Sequence, residues 1–172
     1  MPILACRAIV ACAALAVAGL AGCAGGPPRQ AQSAATVAGR QVWVENASGV
    51  IDQLSGDVAA AEPPVPGLSA AQRSLHDLSE LYGLLVAYTD LGGCSKMVGG
   101  IGRPPPGFTG VLQTLEDACS GFERGAAFFT RAASDHDARA LVEAWSQVDT
   151  SQSLLYSAAI AFAAARSAAA GR

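Results

Sequence analysis

Four side chains are of the types that hold zinc: His76, Cys94, Cys119 and His136. Zinc motifs usually draw their donors in closely spaced pairs, so that one turn presents both to the same ion. These four stand far apart on three separate segments, which argues against a metal site, and neither a metal nor a cofactor is expected. Asp135-His136-Asp137 groups acid and base types, but neighbours at a helix start point in different directions. Their expected role is capping, with Ser134 or Asp135 accepting amide hydrogen bonds and the acids favouring a helix N-terminus. Gly99-Gly100-Ile101-Gly102 has the composition of a phosphate cradle. Such a loop follows a strand and opens a helix, whereas Arg103 and Pro104 to Pro106 follow here. Glu116 and Asp117 are helix neighbours, not facing acids, and no serine has a nucleophile-elbow context. The expectation is a non-enzymatic protein.

The start of the chain has a different kind of chemistry. Arg7 is followed by an uncharged apolar run from Ala8 to Leu20 and then by small residues, the order of a secretory signal. The run is shorter than the ~20 residues that span a bilayer comfortably. It ends at Leu20-Ala21-Gly22-Cys23, which resembles the lipobox of bacterial lipoproteins: an aliphatic residue, two small residues and cysteine. The resemblance covers the leader only. It implies that Cys23 receives a diacylglyceryl group on its thiol, that a peptidase cuts just before it, and that the protein is exported and held on the cell membrane or outer membrane. Residues 1–22 then form a signal peptide, 23–35 a flexible Gly/Pro/polar tether, and 36–172 the domain. Ala24 follows the cysteine, so the family's aspartate signal for inner-membrane retention is absent.

The chain of 172 residues has room for one domain. Its apolar half is largely alanine and only 6% of residues are aromatic, a composition that favours close-packed helices. The formal charge is −3 and the basic residues are scattered through the sequence. Nucleic-acid binding, which needs a basic patch, is not expected.

The helices that must position any site follow from periodicity. Trp43, Ala47, Val50, Ile51, Leu54 and Val58 share one face of a first helix, which Pro63 to Gly67 ends. Ser69 to Gln72 fits a capping box opening a second helix whose stripe is Leu75, Leu78, Leu81, Tyr82, Leu85 and Tyr88. Residues 92–107 hold six glycines and three consecutive prolines and read as a long irregular loop. Val111, Leu112, Leu115, Cys119, Phe122, Ala126 and Phe129 mark a third helix over 108–133. Leu141, Trp145, Val148, Leu155, Ala159 and Phe162 mark a fourth, with a break conceivable at Asp149-Thr150-Ser151. The fold class this predicts is all-α, an antiparallel four-helix bundle with a long Gly/Pro loop between helices two and three.

Cys94 and Cys119 remain once the leader and Cys23 are set aside. In an oxidising compartment they are expected to form a disulfide, which would fold the loop against the bundle and stabilise it by roughly 3–4 kcal/mol on the chain-entropy account. Loops of this length are often functional, so Ile101, Arg103 and Pro104 are the expected contact surface. Adjacent Phe128 and Phe129 cannot both face the core, so one of them is a further contact candidate. The resulting expectation is a lipid-anchored envelope protein that binds another envelope protein or serves as a structural accessory. Two alternatives stand beside it: a carrier of a small apolar ligand between its helices, and an enzyme whose site the sequence does not reveal.

Overall fold

A computed structural model describes residues 29–62 and 67–170, with side chains from Val37 onward. The leader, Cys23 and the first part of the expected tether lie outside the described residues. All described elements are helices: α1 Arg29–Ala61, α2 Leu68–His76, α3 Leu78–Gly92, α4 Cys94–Gly100, α5 Thr109–Asp135 and α6 Ala138–Ala170. The protein is all-α as expected, but six helices stand where four segments were read, and each difference has a local cause.

α1 begins at Arg29 and so takes in residues that composition assigned to the tether. Gln30 to Ala35 is mostly alanine and glutamine, which lose little freedom in a helix. The second expected helix divides at Asp77, whose backbone is extended (φ −89°, ψ 108°). Asp77 Oδ1 accepts hydrogen bonds from the amides of Ser79 (2.9 Å) and Glu80 (3.1 Å), capping a new helix. The expected Ser69 to Gln72 box is not used: Gly67 precedes α2 and no side chain caps it. Glu80 Oε1 accepts from the buried Ser74 hydroxyl across the break (2.6 Å). The break also turns the stripe. Leu75 and Tyr88 are buried as the stripe predicts, but Leu78, Tyr82 and Leu85 are exposed, and Leu84, Ala87 and Leu91 face the core instead.

α4 fills the first half of the stretch read as an irregular loop. The prolines are all in its second half, and glycine weakens a helix without forbidding it. Irregular backbone is confined to 101–108, with Gly102 (φ 84°) and Gly107 (φ 92°) in the left-handed region that glycine favours. Between α5 and α6 the cap falls on Asp137, whose Oδ1 accepts from the amides of Arg139 (2.9 Å) and Ala140 (3.2 Å). Ser134 and Asp135 stay in the last turn of α5. α6 passes unbroken through Asp149 to Ser151, where the Thr150 and Ser151 hydroxyls donate to the helix's own carbonyls at Ser146 (2.9 Å) and Gln147 (2.8 Å).

The most extensive packing is between α5 and α6, with α3 laid on α5 and α1 on α3 and α6. Small residues let the two long helices approach. A Cβ at Gly121 would collide with Ser151 Oγ, and one at Gly125 would lie 3.1 Å from Val148 Cγ2 and 3.2 Å from the Ala144 carbonyl. Above this seam the aromatic side chains pack on one another. Tyr88 stacks on Phe129 with centroids 4.5 Å apart, and Phe108 sits between Trp43 (5.1 Å) and Phe162 (6.0 Å).

Alanine normally stabilises a helix relative to glycine. Gly121→Ala should therefore reverse sign, destabilising the fold by about 1–3 kcal/mol through overpacking. Gly56→Ala, in open space on α1, should stabilise it by up to about 1 kcal/mol. Urea unfolding midpoints of the two variants check the contrast.

Candidate functional site

The segment from α4 to the start of α5 is held at three points. The Cys94–Cys119 disulfide joins the first residue of α4 to the middle of α5, with Cα atoms 5.2 Å apart and both residues fully buried. Nearby, the Ser95 amide donates to Glu123 Oε1 (3.1 Å). At the far end of the segment Trp43 Nε1 donates to the Gly102 carbonyl (3.1 Å). The expected contact trio does not present itself together as a result. Ile101 is buried at 5% exposure and Pro104 is half-buried, which leaves Arg103 as the exposed member. The pinning by Trp43 draws Ile101 inward, and nothing in the loop's own composition announces it.

Along the other side of α4 runs an open groove of about 800 Å³ between α1 and α3. Glu45, Asn46 and Gln53 line it from α1, Thr89 and Asp90 from α3, and Lys96 from α4. Where α1 meets α3, Asp57 is half-buried and its Oδ2 finds no hydrogen-bond partner among the described residues. Burial, and then the Asp90 carboxylate, raise its pKa above the ordinary aspartate value. These residues went unnoticed in the sequence because each sits on a polar helix face. Only the packing of α1 on α3 brings them together.

The four zinc-type side chains separate into two pairs. Both sulfurs are spent in the disulfide. The two imidazoles stack with centroids 6.2 Å apart, each on the residue directly before a capping aspartate, His76 before Asp77 and His136 before Asp137. Among the described residues no three ligand-type side chains converge. Gly99 and Gly100 close α4 rather than open a helix, so the amides a phosphate would need are not presented. Glu116 and Asp117 are exposed on α5.

The aromatic side chains mostly fill the core. Tyr88 is buried, its hydroxyl has no partner among the described residues, and burial raises its pKa. Phe129 faces the core, while Phe128 is half-buried with the Arg131 guanidinium 5.2 Å from its ring centroid. The larger apolar exposure is on α3, at Leu78, Tyr82, Leu85 and Val86. Comparison with protein-family models, curated proteins and solved structures finds no match.

A raised native pKa means that ionised Asp57 costs stability. The cost is absent below the unfolded pKa, grows as pH rises toward the native value, and is complete above it. Asp57→Asn should therefore stabilise the protein at pH 7, because it removes the charge that burial, and then the Asp90 carboxylate, disfavour. The gain should shrink toward pH ~4. Urea denaturation at the two pH values measures both.

Proposed function

We propose that the chain is an exported lipoprotein, acylated at Cys23, whose helical domain works at the envelope by contact with another protein and not by catalysis. The order of Arg7, the apolar run and Leu20-Ala21-Gly22-Cys23 carries this reading. α1 starts at Arg29, so on this reading the spacer after Cys23 is shorter than the tether of 23–35 that composition suggests. α1, the bent α2–α3 pair, α5 and α6 serve as the four staves of a bundle, with α4 as a buttress stapled to α5. The exposed α3 face of Leu78, Tyr82, Leu85 and Val86 supports the contact role, because apolar residues clustered on a surface mark interaction sites.

A second reading, a carrier of a small apolar ligand, is favoured by one observation. An open cavity of about 480 Å³ lies between the end of α1, the start of α2 and α6, lined by Ala61, Val142, Trp145 and Val148 with Glu62, Ser146 and Asp149 at its edge. The buried Trp145 Nε1 has no partner among the described residues. Organic extraction of the purified protein followed by mass spectrometry tests it: a stoichiometric small molecule supports a carrier, and a clean extract removes it.

The anchor is tested in the native host by Cys23→Ala. The unsubstituted protein should sediment with membranes and start at a diacylglyceryl-modified Cys23 by intact mass. The variant should lack the acyl mass and lose the membrane attachment that depends on it. Equal mass increments and equal partition of the two forms would contradict the proposal.

A further inference from the structure

We infer that the end of the domain formed by the start of α1 and the finish of α6 seats on an anionic lipid surface. This builds on the lipid-anchored reading, which brings a membrane to that end, but rests on separate observations. α1 and α6 run in opposite directions. Ala61 shares a cavity with Trp145, Val58 one with Leu155, and Trp43 reaches Phe162 through Phe108. The first residues of α1 and the last of α6 therefore project from the same end. At 1.5 Å per residue, α1 extends roughly 20 Å beyond Trp43 and α6 roughly 12 Å beyond Phe162.

Charge divides along this axis. All fourteen acidic residues lie between Glu45 and Asp149. Outside those limits the charged side chains are arginines, among them Arg40 on α1 and Arg166 on α6. Arg103 joins them, since its neighbour Gly102 is bonded to Trp43. The opposite end carries Asp77, Glu80, Asp135, Asp137 and Glu143, with Arg73, Arg131 and Arg139. The basic end is also apolar: Val37, Val42 and Ile160 are each more than half exposed. Among the described helices α6 alone has a window long and apolar enough to cross a bilayer, and only 17% of that window is buried. Exposed apolar side chains among arginines, with no acid beyond Glu45 at its inner edge, match the headgroup region of an anionic membrane. The six-residue step from Cys23 to Arg29 spans at most about 20 Å, which holds this end near any surface that Cys23 enters.

Each arginine near an anionic surface strengthens association by about fivefold. Hydrogen exchange of the full-length acylated protein, reconstituted in phosphatidylcholine vesicles with or without phosphatidylglycerol, tests the inference. Amides of 29–44 and 160–170 should exchange more slowly on the phosphatidylglycerol vesicles, and the α5–α6 turn should be unchanged. Arg40→Gln with Arg166→Gln should remove that protection while the protein still sediments with vesicles through its anchor. Equal exchange on both vesicles, or protection by soluble heparin without vesicles, would overturn the lipid assignment. Failure of the anchored reading would instead show as unacylated protein.

Discussion

The close approach of α5 and α6 is the constraint on which the other elements depend. It is possible because Gly121 and Gly125 present no side chain to Ser151, Val148 and the Ala144 backbone. Where the two helices touch, Ser151 is buried against Gly121, and α6 continues unbroken through the three polar residues at 149–151. The seam then offers α3 and α1 an apolar bed of Leu115, Phe122, Phe129, Leu141 and Leu155. Without it, the alanine-rich stretches would have propensity but little area to bury, and isolated helices of that kind are marginal in water.

Around that seam, polar groups do local work with long-range consequences. Asp77 ends α2 and caps α3, while His136 ends α5 (φ 52°) and Asp137 then caps α6, and the two turns bring the histidines side by side. The disulfide and the Trp43 indole hold α4 and the following loop from both ends, converting a glycine-rich stretch into an ordered wall of the α1–α3 groove. Burial of Ile101 in that wall explains why the loop offers an arginine and a half-buried proline to solvent instead of an apolar contact surface.

How much of this was legible in the sequence varies with the range of the interactions involved. The stripes of α1, α5 and α6, the all-α class and the Cys94–Cys119 pairing follow from periodicity and from cysteine arithmetic. The break at Asp77 is hidden because the leucines on both sides of it fit one continuous stripe, although Asp77 followed by Glu80 three residues later has the pattern of a helix start. α4 was missed because glycine content was weighed over the whole stretch and the prolines are confined to its second half. The juxtaposition of Asp57 with Asp90, and of His76 with His136, depends on tertiary packing and has no local sequence signature. The basic residues are scattered in the linear chain, and the absence of acids before Glu45 and after Asp149 acquires spatial meaning only once α1 and α6 are known to be antiparallel.

The central claim is one of polarity: an acylated, basic, apolar end beside the membrane and an acidic end carrying the α5–α6 turn away from it. Photo-crosslinking with lipids that bear a headgroup-proximal diazirine, in native membranes and with peptide mapping, tests this most directly. The account predicts adducts within residues 23–44 and 160–172 and none around Asp77 or Asp137. Adducts concentrated on α2 or on the α5–α6 turn, or absent from both ends, would contradict it.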